Sequence, residues 1–408
     1  MQKLINEKKL PFVIVYYSLI SFDKILFNMT AKKGILERLA EGPVIGDGSM
    51  IFTLERRGYV KAGPWTPEAT VEYPDAVLQL HREFVRAGAD VVQTCTFYAS
   101  DGKLTFAKDK NEITHTSVEL NDAACKLARK AADENGCLVC GGISPVPAFA
   151  QKKDESIVCR EFSKQIEVYR KHDVDFVMCE FFNDICEVEI CASEMKKLKK
   201  PFALSMRLGV MGDVNGVSVE ECAIRMAKTG ADIIGNNCAY DVNTSLKVIK
   251  RVKEALEKED LHPYLLCQPL GMHCPETEKS PMGYISLPEF PFALDPRVMT
   301  RIEVHEFARE AWKHGVRYIG GCCGFEPHLI AAISQELAPE RGGKQAPGSD
   351  MMQAFGGEFF KKSAVSNIAS GKQSSREYWC GLKAGTGRPY NPPLSQILDN
   401  NFQYDKDN

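Results

Sequence analysis

Eight short runs of apolar and β-branched residues recur along this chain with helix-period segments between them, and no other feature limits the fold as much. The runs occupy residues 43–47 (PVIGD), 89–97 (ADVVQTCTF), 137–143 (CLVCGGI), 174–181 (VDFVMCEF), 201–207 (PFALSMR), 231–238 (ADIIGNNC), 263–269 (PYLLCQP) and 316–323 (VRYIGGCC). Continuous apolar runs of this length suit strands buried on both faces of a parallel sheet. Between them, residues 75–87, 121–133, 219–228 and 246–256 carry the period of amphipathic helices. In RAGAD and KTGAD a glycine separates helix from strand, the chemistry of a helix C-terminus entering a short loop.

Each unit takes about 35 residues, close to the ~30 or more of a βαβ unit. A doubly wound sheet would have fewer strands, and its Gly-rich phosphate-binding turn after the first strand is missing. The expectation is therefore an α/β chain folded as a (β/α)8 TIM barrel over residues 33–340, its active site at the C-terminal ends of the strands. Residues 271–300, rich in Pro, Phe and Met, form an insertion on that rim, where a lid or an interface is expected.

The flanks read differently. Residues 10–20 (LPFVIVYYSLI) behind Lys8 and Lys9 mimic a signal peptide, yet they are too short to span a bilayer and no Ala-x-Ala site follows. Residues 1–32 are read as an unstructured extension, with Met29 as an alternative start. Residues 341–408 open with the linker-like GGKQAPGSD and later contain SREYW and GRPYNPP. They are read as an extended C-terminal arm packed on the barrel or on another subunit of a homo-oligomer.

Lys plus Arg number 51 and Asp plus Glu 54, for a net charge of −3, which excludes a generally basic binder of nucleic acid or of anionic membranes. The 15 cysteines begin only at Cys95 and run to Cys380. An odd number so distributed is a poor disulfide framework, and it points to a reducing, cytoplasmic location.

Three of those cysteines stand out by position. Cys238 ends the sixth run in GNNC, and Cys322 and Cys323 end the eighth in GGCCG. In a closed barrel only strand seven separates them, so three thiols can converge as a catalytic zinc site with an open fourth position. The flanking glycines let adjacent cysteines turn the same way, which a regular strand forbids. The plainer reading makes all three small buried fillers. Cys137-x-x-Cys140 lies inside an apolar run with no helix after it and reads as buried thiols.

Two acids close apolar strands, Asp47 in IGDG and Glu180 in MCEFF. Together they suit the amino group of an amino acid, the alternative being a salt bridge on the barrel rim. The Gly48–Ser49 turn offers N–H groups to a carboxylate. Trp65, in AGPWTP, and Phe97 with Tyr98 after the second run suit a quaternary ammonium ligand through cation–π attraction, or else simply pack.

The segments RGYVKAGPWTPEA, QLHREFVRAGAD, QTCTFYAS, LPEFPFALDPRV and GVRYIGGCCGFEP resemble those of the betaine–homocysteine S-methyltransferases, from about Lys33 to Pro393. The GNNC and GGCCG pair marks the wider homocysteine methyltransferase superfamily; GPWTP and TFYAS point to the betaine branch. The resemblance implies Zn2+ on Cys238, Cys322 and Cys323. It implies homocysteine gripped by Glu180 and the Asp47–Gly48–Ser49 turn, with betaine held by Trp65 and Tyr98 beside Phe97. The implied products are methionine and dimethylglycine. Ser49 stands where the family usually has glycine, Met50 where it has an aromatic, Asn183 where it has Glu, and Phe181 where it has a Tyr whose hydroxyl can fill the open zinc position. The tail lacks the family's long charged helix, which leaves dimer or tetramer open. A shortened tail also occurs in a branch using S-methylmethionine, the main alternative donor. A non-catalytic barrel with a structural zinc or none is the remaining alternative.

Overall fold

The computed structural model describes residues 32–107 and 115–346, together with Arg376. The N-terminal extension up to Ala31, residues 347–350 (PGSD) of the GGKQAPGSD linker, the GRPYNPP segment and Cys380 lie outside the described residues. Of the expected arm, Arg376 of SREYW meets Glu336 at 2.6 Å.

The eight runs form eight parallel strands: β1 (Val44–Ile45), β2 (Val91–Gln93), β3 (Leu138–Ile143), β4 (Phe176–Phe182), β5 (Phe202–Met206), β6 (Ile233–Asn237), β7 (Tyr264–Gln268) and β8 (Val316–Ile319). Their order is β1-β8-β7-β6-β5-β4-β3-β2. The expected barrel is present, and β6 and β8 flank β7 as required for the three cysteines to meet. β1 and β2 are shorter than their apolar runs, because residues 46–49 and 94–98 leave the ladder to build the mouth.

The barrel closes between β1 and β2 partly through side chains. Asp90 donates its N–H to the Ile45 carbonyl at 2.8 Å, and its carboxylate accepts the Ile45 N–H at 3.0 Å. At the other end of the seam, Asp47 Oδ2 accepts the Gln93 N–H at 2.9 Å. Two carboxylates thus satisfy backbone donors that a ladder would otherwise serve. Asp90 is in turn neutralised by Arg341, 2.7 Å away.

Helices wrap the outside, and their boundaries follow local chemistry. The helix Pro74–Ala87 starts on a proline and stops at Gly88, whose φ of 105° is left-handed. Ser117–Asp133 and Arg301–Lys313 begin with reciprocal capping boxes from Thr116–Glu119 and Thr300–Glu303. Inside the barrel, Val44, Val91, Leu138, Phe176, Ala203, Ile233, Leu266 and Tyr318 form one buried cluster, which Ile35 and Leu39 of the helix Ile35–Glu41 join. Each large aliphatic in it contributes roughly 1.5–3 kcal/mol by leaving water, so the interior is packed rather than open. Chemistry is left to the mouth. Among the described residues no helix is long and apolar enough to cross a membrane.

The 271–300 insertion covers that mouth. It contains the short turns Pro275–Thr277, Gly283–Ser286 and Asp295–Arg297. Buried Arg297 ties it together through the His273 carbonyl at 3.0 Å, Glu276 at 2.6 Å and Glu289 at 3.1 Å. Leu270, Met272, Cys274, Tyr284, Leu287 and Leu294 pack in one cluster with Cys238, Phe181, Cys322 and Cys323. The lid reading of this segment matches its position.

Candidate metal centre and substrate site

The three cysteines converge because backbone geometry departs from strand form at each. Cys238 follows β6 with φ of 55° and Ala239 with φ of 61°, so the chain turns sharply as it leaves the ladder. Cys238 donates its N–H to the Gln268 carbonyl and Cys322 donates to the Pro269 carbonyl, both at 2.9 Å, pinning both thiol-bearing segments to the end of β7. The Cys323 carbonyl accepts the Gly271 N–H at 2.8 Å. At Gly321 a Cβ would fall 2.0 Å from the Phe325 ring, so only glycine lets the CC turn close.

The three Sγ atoms lie within 4.8 Å of one another, and those of Cys238 and Cys323 are 3.7 Å apart. Tetrahedral coordination at ~2.3 Å per Zn–S bond separates sulfurs by roughly 3.8 Å, so this spacing fits a metal held by three thiolates. The surroundings fit as well. Asn237 Nδ2 approaches Cys322 Sγ at 3.9 Å, and the Tyr284 hydroxyl donates to Cys323 Sγ at 3.5 Å. Hydrogen bonds from the Cys238 and Cys322 thiols, and from Tyr284, hold the Cys323 thiol well below its ordinary range despite burial.

The acids stand on the other side of the mouth. β4 has a register shift between Cys179 and Phe182, and Phe181 has φ of 66°. This bulge lets consecutive residues serve the site together. Glu180 accepts from Gln93 Nε2 at 2.5 Å, while Phe181 donates its N–H to Asn237 Oδ1 at 3.0 Å. Burial raises the Glu180 carboxyl to about 8, helped by the nearby charges of Asp47 and Cys323. Burial raises Asp47 to about 7 against the N–H of Gln93. Neither acid has a basic partner among the described residues, so the rim salt bridge is not formed. A cationic ligand would supply the missing charge.

The glycine turn is only partly available to a ligand. The Ser49 N–H donates to the Phe325 carbonyl at 3.0 Å, which removes it as a donor for a carboxylate. Its buried Oγ has no partner among the described residues. Gly48 is required by close approach, since a Cβ there would lie 2.2 Å from the Phe325 carbonyl oxygen.

The aromatics fall into two groups that share no ring contact among the described residues. Tyr98 stacks on Phe97 with ring centres 4.0 Å apart, and Phe97 meets Phe181 edge-on at 5.6 Å. Trp65, with φ of 48°, instead reaches the insertion through Phe290 at 5.9 Å, and Phe290 meets Tyr284 at 5.2 Å. The Trp65 Nε1 is buried without a partner among the described residues. One face of Tyr98 carries a resident cation, Lys103 Nζ at 3.9 Å from the ring centre.

A family model described as homocysteine S-methyltransferase matches residues 44–337. This chain belongs to the homocysteine S-methyltransferase family. It is 48% identical over 367 residues to betaine–homocysteine S-methyltransferase 1 of Mus musculus, covering 90% of this chain and 89% of that protein. It is 47% identical over 369 residues to the Xenopus tropicalis protein of the same name, covering 90% of each. It is also 45% identical over 367 residues to S-methylmethionine–homocysteine S-methyltransferase BHMT2 of Pongo abelii, covering 90% of this chain and 97% of that one. Among solved structures, the metallated form of the homocysteine methyltransferase MmuM from Escherichia coli aligns with a TM-score of 0.55 at 19% identity. It covers 72% of this chain and 95% of that one, and at that identity shows a shared fold.

In this homocysteine S-methyltransferase several residues at the mouth escape sequence reasoning. Gln93 orders Glu180, Asn237 touches both β4 and Cys322, and Tyr284 links the insertion to Cys323. Gln93 and Asn237 sit at strand ends in QTCTF and GNNC, so strand-end position was an available signal. Tyr284 is 39 residues from Cys323, and nothing in its local sequence announces the contact.

Proposed function

We propose that this methyltransferase carries the methyl group of betaine to L-homocysteine, giving dimethylglycine and L-methionine, with Zn2+ held by Cys238, Cys322 and Cys323. The observation that carries the reading is the three-thiol cluster facing two buried acids without a basic partner, on a chain 48% identical to betaine–homocysteine S-methyltransferase 1. When bound, the metal supplies Lewis acidity that lowers the pKa of the homocysteine thiol.

The chain's own residues position the reactants. Asp47 and Glu180 receive the homocysteine ammonium, and Gln93 fixes the Glu180 carboxylate. Phe97, Tyr98 and Phe181 line the place of the quaternary ammonium of betaine, offering the ring surface that Lys103 and Arg207 leave open. The S–CH3 bond then forms as the C–N bond breaks, the electron pair staying on nitrogen, and the thiol proton passes to solvent. Holding both reactants in line supplies much of the rate. The fourteen cysteines among the described residues, all free, support a reducing compartment such as the cytoplasm.

The likeness to the S-methylmethionine-dependent relative favours a second reading with that donor. Purified protein assayed with homocysteine and either donor, alongside zinc content, decides between them. Turnover with betaine and one zinc per chain is expected. Turnover with S-methylmethionine alone would transfer the assignment to the second reading.

A further inference from the structure

We infer that Arg207 anchors the carboxylate of the methyl donor and selects zwitterionic donors over simple cations; this rests on the betaine reading above. Arg207 directly follows β5 and closes the fifth apolar run as its only charged residue. Its side chain is buried, 7% exposed. Buried guanidinium groups need partners, because an uncompensated charge out of water is strongly unfavourable. The other buried arginine of the mouth, Arg297, has two, Glu276 and Glu289. Arg207 has none. Its Nε is buried without a hydrogen-bond partner among the described residues, and Nη2 reaches only the Met282 sulfur, at 4.0 Å.

Its position says which ligand is missing. The guanidinium carbon lies 5.0 Å from the centre of the Phe181 ring, so Arg207 extends the row Tyr98–Phe97–Phe181 by one cationic group. Met282 covers it from the insertion. Asp47 follows β1 and Glu180 lies in β4, and Gln93 of β2 bonds both. An amino-acid acceptor with its ammonium at those acids can turn its own carboxylate to the β1 turn, leaving Arg207 to the donor. A donor held against the aromatic row brings its carboxylate to the guanidinium, whose fork matches a carboxylate in bidentate geometry. Betaine suits this arrangement because its cationic nitrogen and carboxylate are separated by one methylene. A cation without a carboxylate meets aromatic faces but also an unneutralised guanidinium, and like charge repels it.

The test is steady-state kinetics on the zinc-loaded full chain, with tetramethylammonium as a competitive inhibitor against betaine. R207Q is expected to raise KM for betaine roughly 10–100-fold, with kcat, zinc content and KM for homocysteine within about twofold of wild type. Inhibition by tetramethylammonium should stay equal or tighten, since the repelling charge is gone. R207K, which keeps the charge without the fork, should lie between them and covers the case in which the glutamine variant fails to fold. An unchanged KM for betaine in R207Q overturns the assignment, as does a rise in KM for homocysteine instead. Failure of the wild-type enzyme to use betaine at all would be a different result, removing the donor reading and Arg207's role with it.

Discussion

The hydroxyl of Tyr284 donates to the sulfur of Cys323 at 3.5 Å, joining the insertion to the three-thiol cluster by one hydrogen bond. The turn that carries it is tightly seated. Tyr284 donates its N–H to the Ala239 carbonyl at 2.8 Å, one residue after Cys238. At Gly283 a Cβ would lie 2.3 Å from the same carbonyl. Outer partners of metal ligands hold their orientation and disperse their charge. Tyr284→Phe should therefore release zinc faster to a chelator, by about 10-fold or more, with a loss of folding stability near 1 kcal/mol. Equal release rates from both proteins, followed with a zinc-sensitive dye, would remove Tyr284 from the centre.

Replacing one thiol tests the cluster itself. Cys322→Ala leaves two sulfur ligands, and zinc content should fall below a tenth of wild type, with turnover reduced by about 1,000-fold. Cys322 is only partly buried, so the melting temperature of metal-free protein should move little. Full zinc occupancy in the variant would contradict three-thiolate coordination.

Asp47 and Glu180 titrate in the range where the enzyme is assayed, raised to about 7 and about 8. Their protons must leave before they can receive an ammonium group, so amino-acid binding should tighten as pH rises from 6 to 8. Methionine, with the same amino-acid head and no thiol, isolates this effect from ionisation of homocysteine sulfur. Calorimetry should show proton release on methionine binding at pH 7. The same shifts act on stability with a definite sign. The folded state holds protons that an unfolded chain releases near 4, so this contribution is full below about 4 and is lost as pH rises through 7 to 8. A methionine affinity that does not vary with pH would show that these acids do not receive the ammonium.

Glu180→Gln removes the charge while keeping an oxygen for Gln93. KM for homocysteine should rise by about 10–100-fold, and KM for betaine should stay within about twofold, since a charge-assisted contact of this kind is worth roughly 1.5–3 kcal/mol. A change confined to betaine would reverse the assignment of the two sides of the mouth.

Gly48→Ala addresses the β1 turn. With 2.2 Å between its new methyl and the Phe325 carbonyl oxygen, the turn must shift, at a cost of about 1–3 kcal/mol in stability. The Asp47 carboxylate would move with it. Thermal melting should record the loss, and an unchanged melting temperature would mean that the turn yields freely.

Much of this protein was decided locally and is readable residue by residue. Apolar runs with no polar alternation mark strands covered on both faces, and the 35-residue spacing gives eight of them. GNNC and GGCCG mark thiols at the ends of two strands that β7 alone separates, although the residues by themselves left a buried-filler reading open. What tertiary structure alone decided lies in pairs distant in the chain. Gln93 meets Glu180 across 87 positions, and Ser49 gives its N–H to Phe325, so that the turn expected to hold a carboxylate has spent one donor internally. Trp65 and Tyr98, both expected at the donor, are separated into different ring clusters, and one face of Tyr98 already carries Lys103. Arg207 looks like any residue at the end of a strand until the fold buries it with no carboxylate partner among the described residues. Periodicity and motif report what each residue can do in its own neighbourhood. Partner identity, burial and the charge left uncompensated are properties of the closed barrel and its insertion, which no local window contains.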